Sequence, residues 1–204
     1  MCPYDDPVAP PALADRRLVV VPGPSPVGSR AGGAPPACLE GRDDLLAGHR
    51  YLLTLSPVDV PWLGDQECSV FVRCGFSVYG DESDWPEIGL CAVLHEPSPR
   101  GHAVDAALPS LGEAALVVAA EVDAPRGATA LVRAGGAPDL VLQQPLDALP
   151  VVRHGLTYLF EVDDDGWPEG FAEERPLSHG AVYFFGEVGD DGVVRQVVPG
   201  VVQF

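Results

Sequence analysis

The densest chemistry-bearing stretch of this chain holds Glu161, Asp163, Asp164, Asp165, Glu169, Glu173 and Glu174, with Trp167 and Phe171 among them. Carboxylates this close together are hard oxygen donors suited to a divalent cation. Gly166, however, follows Asp165 directly and breaks the D-x-[DN]-x-[DN]-G order of a calcium loop. Two other readings stay open: a solvated acidic loop, the usual fate of a charge run, and a protein-binding face, signalled by aromatics among the charges. On the last reading the contact residues are Asp163, Asp164, Asp165, Trp167, Glu173 and Glu174.

The other reactive residue types are scattered. His49, His95, His102, His154 and His179 form neither H-x-x-x-H nor H-E-x-x-H, so no zinc site is expected. Gly75-Phe76-Ser77-Val78-Tyr79 fails the G-x-S-x-G nucleophile pattern at its last position. The five Cys have no C-x-x-C spacing, and Cys68, Cys74 and Cys91 sit on apolar stretches as small core residues. All twelve basic residues are Arg, and without Lys a Schiff base, a P-loop and a protein-kinase site are excluded. No catalytic residue, metal or cofactor is therefore expected, and the balance leans away from an enzyme without deciding it.

Charge narrows the partners. The net charge is −18, with seven Arg against fourteen carboxylates over residues 1–102 and five against sixteen over 103–204. Nucleic-acid binding needs a basic footprint that is missing here, whereas a basic protein partner is favoured. The apolar run Ala114–Ala120 falls far short of the roughly 20 residues that span a bilayer. The amino terminus shows no charged region followed by an apolar one. No membrane contact and a cytoplasmic location with reduced thiols are the expectations.

The elements that position these residues read as strands. Runs rich in Val, Leu, Tyr and Phe, bounded by Gly, Pro and Asp, fall at Arg17–Val21, Tyr51–Leu55, Ser69–Cys74, Ile88–His95, Leu156–Val162 and Ala181–Val188. Gly189-Asp190-Asp191-Gly192 reads as a hairpin turn into Val193–Val198, with a further strand at Val201–Phe204. Gly112–Val122 is ambiguous in period, and Val117 and Val118 favour strand. Residues 1–16, with four Pro, read as an irregular leader.

A repeat organises these strands. Arg30-Ala31-Gly32-Gly33-Ala34-Pro35 recurs as Arg133-Ala134-Gly135-Gly136-Ala137-Pro138. Each copy is followed by a His-containing turn (His49, His154), an apolar run, an acidic turn with Trp and Pro, and an aromatic strand. The expected fold is therefore β-rich α+β, mostly antiparallel, one domain over 17–204 made of two similar halves sharing a core, about 17–100 and 115–204. A chain of this length buries roughly 70% of its unfolded surface, enough for such a core.

The Gly-Gly-Ala-Pro copies, each with its following strand, then Gln143 and Gln144, the acidic cluster at 163–165 and the aromatic strand Val182-Tyr183-Phe184-Phe185 carry a resemblance. Over residues 26–204 the chain resembles the YwqG-like family of bacterial proteins, a domain of unknown function. The resemblance implies a β-rich, internally duplicated fold without an established catalytic centre, and partner binding of the toxin-immunity or inhibitor type. The alternative is a small-molecule-binding protein or enzyme with a cleft between the halves. There Arg30 and Arg133 would hold an anionic group and His49 or His154 would act as acid or base.

Overall fold

The strands β4 (Glu67–Arg73) and β9 (Ala181–Val188) are each buried at six consecutive positions, which requires cover on both faces. The computed structural model, which describes residues 13–25, 28–77, 79–80, 83–121, 129–138 and 149–203, shows how that cover arises. The remaining strands are β1 (Arg16–Pro22), β2 (Arg30–Ala31), β3 (His49–Leu55), β5 (Leu90–His95), β6 (Ala114–Val118), β7 (Val132–Ala134), β8 (Thr157–Asp163) and β10 (Val194–Gln203). They form one ten-stranded antiparallel sheet in the order β10-β9-β8-β7-β1-β6-β2-β3-β4-β5. The sheet curls until its two edges, β5 and β10, lie against each other in a nearly closed barrel.

The inner face holds the main core, including Leu18, Leu53, Val70, Leu116, Phe160, Val182 and Phe184. Trp62 and Trp167, each from a turn following β3 or β8, belong to the same core. Two smaller clusters cover the outer face. Leu39 and Leu45, the latter on the helix α1 (Asp43–Leu46), pack on Tyr51 and Phe71. Val151, on the helix α2 (Leu149–Arg153), packs on Tyr158 and Phe185. The aromatic pairs meet edge-on, with centroids 5.7 Å apart for Tyr51–Phe71 and 5.9 Å for Tyr158–Phe185.

Local geometry follows the Gly-Gly pairs. Gly32 and Gly135 have φ of 65° and 76°, and a Cβ there would run into the carbonyl oxygens of Gly112 and Ala14. Their N–H groups donate to Leu52 O at 2.9 Å and Leu159 O at 2.6 Å. Both acceptors lie at register shifts, between Tyr51 and Leu53 in β3 and between Tyr158 and Phe160 in β8. Each bulge lets consecutive residues change face.

The strands fall where the periodicity placed them, with three differences. The two separate carboxy-terminal strands are one ladder, shifted in register between Pro199 and Val201 because Pro199 has no N–H to give. The ambiguous 112–122 segment is strand only over Ala114–Val118, then a 3-10 turn over Ala119–Glu121; Val122 lies outside the described residues. The strands β2 and β7 are two and three residues long, hidden in the turn-like Arg-Ala-Gly-Gly composition. Helices of four and five residues are the α content among the described residues, so the expected α+β class narrows to β. Of the expected leader, residues 1–12 lie outside the described residues, and Arg16 already belongs to β1. Among the described residues no helix is long and apolar enough to cross a membrane.

Candidate functional site

Two polar clusters lie on the outer face, one on each side of the β1–β6 ladder. In the first, Arg30 on β2 forms a two-armed contact with Glu67 on β4, 3.3 Å on each arm, with side chains only 10% and 6% exposed. The pair holds main chain as well: Arg30 donates to Ser98 O at 2.9 Å, and Ser98 N–H donates to Glu67 at 3.3 Å. Beside it runs a chain of hydroxyls. Tyr51 contacts Thr54 at 2.8 Å, Thr54 contacts Ser69 at 2.8 Å, and Ser69 contacts His95 Nε2 at 2.7 Å.

The partners assign the His95 tautomer. Glu96 O, 2.8 Å from Nδ1, can only accept, so Nδ1 carries the proton and Nε2 accepts from Ser69. Ser69 then accepts from Thr54, and Thr54 from Tyr51. Cys38 Sγ lies 3.3 Å from the same Nδ1, so the imidazole offers this exposed thiol a proton rather than a lone pair. It is not poised as a base. Burial holds His95 below its ordinary pKa and pushes Tyr51 up to about 12. The cluster is closed over by the chain's own segments, and Arg30 Nε is its one buried side-chain nitrogen or oxygen without a hydrogen-bond partner among the described residues.

The second cluster lies at a surface pocket. A pocket of about 230 Å³ is lined by Arg133, Glu161, Asp163, Asp165, His179, Ala181, Tyr183 and Gln203. Arg133 Nε lies 3.4 Å from Glu161 Oε1, and Tyr158 OH donates to Glu161 Oε2 at 3.4 Å and to Arg133 O at 3.3 Å. Tyr158 is held above its ordinary pKa by burial first and by Glu161 second. His179 Nδ1 meets Asp165 at 2.9 Å, and Tyr183 donates to Gln203. Such a site can hold a cationic or main-chain polar group, and its lining has no Ser, Thr or Cys. Among the described residues no three His, Cys, Asp or Glu side chains converge as metal ligands.

A third feature is a cleft of about 510 Å³ at the seam, between residues of β5 and β10, with Trp85, His154 and Glu187 in its lining. The Trp85 and His154 rings are 4.7 Å apart.

The structure sorts the candidate residues. Asp165, Glu173 and Glu174 are exposed and Asp163 is half-buried, but Asp164 and Trp167 are buried. Asp164 accepts from Trp167 Nε1 at 2.9 Å, Leu177 N at 3.1 Å and His179 N at 3.0 Å, and Trp167 stacks on Phe171 at 5.6 Å. Those two residues shape the acidic loop from inside and do not face a partner. The four residues of the alternative cleft are not brought together. Arg30 is in the closed cluster and Arg133 at the surface pocket; His154 is at the seam, and His49 bonds Leu45 O at 3.0 Å. Cys68 is buried, but Cys74, expected in the core, is exposed just beyond the end of β4. Glu67 and Gln203 were missed, while Tyr183 was read only as part of an aromatic strand and His95 only as one of five scattered His. Their only sequence signal is alternation along β4, β5, β9 and β10, which puts them on the outer face.

Compared with protein-family models, curated proteins and solved structures, the chain matches none of them.

Proposed function

We propose that this chain is a non-catalytic acidic binding protein that presents the outer face of its second half to a basic protein partner, as an inhibitor or immunity protein does. The observation that carries the reading is the acidic stretch that begins at the end of β8, where Asp165, Glu173 and Glu174 are exposed and Asp163 is half-buried. The net charge of −18 adds long-range attraction for a basic surface and speeds encounter. A YwqG-like, cytoplasmic protein fits this role.

In this reading the chain is built from two related halves, β1–β5 and β6–β10. Supporting it are the matched Gly-Gly turns and register shifts, the edge-on Tyr–Phe pairs and the short helices over them. A second reading, a small-molecule ligand, is favoured by the seam cleft, which lies between strands of the two halves but is not lined by Arg30, Arg133 or His49.

The test is affinity capture at low and high salt with the tagged protein and with a variant carrying Asp163→Lys, Asp165→Lys, Glu173→Lys and Glu174→Lys. A basic protein held by the parent, released by salt and not held by the variant supports the first reading. Capture of no basic protein, together with a ligand-dependent rise in melting temperature, overturns it in favour of the second.

A further inference from the structure

We infer that the cleft at the seam between β5 and β10 binds a small organic cation with an apolar body, the body on the cleft's floor and the charge beside Glu187. The inference rests on the second, small-molecule reading and names the class of its ligand; it draws nothing from the acidic loop.

The seam is where the sheet stops. Every other strand has a hydrogen-bonded neighbour on each side, whereas β5 pairs only with β4 and β10 only with β9. The two edges lie against each other without forming a ladder. A cleft of about 510 Å³ lies at this seam, within the roughly 300–1,000 Å³ of small-molecule sites, which favour the mouths of β-barrels. It is larger than one side chain of a partner would fill.

Side chains alternate across each strand, so the cleft reaches from one face of the sheet to the other. Leu90, Ala92 and Val197 in its lining belong to or pack on the main core, while Cys91 and Val198 pack on the outer-face clusters. Trp85 packs on both the main core and the outer cluster of Tyr158 and Phe185, so its half-buried ring bridges the two faces at the seam. An apolar body entering here meets core side chains without the sheet having to part.

Charge selects the other end of the ligand. The lining contains one carboxylate, Glu187, and no Arg. Glu187 and Gln196 stand opposite each other on β9 and β10, and both are exposed, so their side-chain oxygens can accept from a donor at the outer rim. The Trp85 ring, 4.7 Å from that of His154, adds an aromatic face that attracts a cation. An anion would meet Glu187 with no Arg to offset it, in the field of a chain at −18.

The probe is phenylbutylamine, titrated to millimolar concentration at neutral pH and fixed ionic strength into the 15N-labelled full chain. Phenylbutanol and phenylbutyrate carry the same body with a neutral and a negative end, and N-acetyl-lysine methylamide carries the cation without the aromatic body. Saturating shifts at the Ala92, Leu156 and Gln196 amides and at the Trp85 indole N–H are expected with the amine. Binding about tenfold weaker or more is expected with phenylbutyrate and with the lysine derivative, the first repelled and the second lacking the buried ring. Glu187→Gln, a shape-conserving change at an exposed position, is expected to weaken the amine about fivefold and leave phenylbutanol unchanged. Phenylbutanol or phenylbutyrate binding the cleft as tightly as the amine overturns the inference and keeps the small-molecule reading. Equal binding of the lysine derivative assigns the cleft to a partner's side chain and overturns the inference. Absence of saturable shifts at these positions with all four probes, or shifts confined to the acidic loop, overturns it as well; the small-molecule reading falls with it only if no ligand raises the melting temperature either.

Discussion

Arg30 and Glu67 face each other 3.3 Å apart across an intervening strand, nearly excluded from water, and jointly satisfy the main chain of Ser98. Neither side chain could remain charged and buried without the other. The consequences run through stability, titration and reactivity.

Glu67→Gln leaves the Arg30 guanidinium buried without its counter-charge and is expected to cost about 3–5 kcal/mol of unfolding free energy. The double variant Arg30→Met, Glu67→Leu is expected to cost less than either single change, because no orphaned charge remains. Urea unfolding of the three variants checks the order.

Asp164 anchors the acidic loop through three donors, so Asp164→Ala is expected to destabilise by about 3 kcal/mol, from buried donors left unmade. Asp165→Ala, one residue along at an exposed position, is expected to stay within about 0.5 kcal/mol. Thermal melts of the pair separate the loop's internal scaffold from its outward face.

His95 is held below its ordinary value of 6.5 by burial, so the unfolded chain takes up a proton before the folded one does. Stability therefore falls as pH drops below 6.5 and the loss is complete below the folded pKa. In His95→Gln, which does not titrate, the slope of melting temperature against pH just below 6.5 is expected to flatten. An unchanged slope would assign that pH dependence to other groups.

Burial pushes the Cys68 thiol up to about 12 and Cys91 up to about 11. Cys38 and Cys74 are exposed. Of these four, Cys38 and Cys74 are expected to be alkylated first by iodoacetamide at neutral pH, with Cys68 reacting only on unfolding, since the thiolate is the reacting form. Peptide mass mapping over a time course reads the order.

Much of this architecture was legible in the chain. The strand runs, the hairpin at 189–192 and the matching Arg-Ala-Gly-Gly-Ala-Pro segments depend on local physics: β-branched and aromatic residues favour strands, and Gly permits φ > 0 where the backbone turns sharply. The acidic stretch at 161–174 was equally visible, because charge density is a property of sequence.

Which of those carboxylates meets solvent was not. Asp163, Asp164 and Asp165 are chemically identical neighbours, yet one is half-buried, one is buried under three donors and one is exposed. Likewise Arg30 and Arg133 share the same local sequence, but one is buried beneath the chain's own Ser98 and the other is half-buried at a surface pocket. Sequence determined the strands, the turns and the charge of this protein. Only the curled sheet decided which polar groups are buried and which are exposed, because that depends on segments distant in the chain crossing the same outer face.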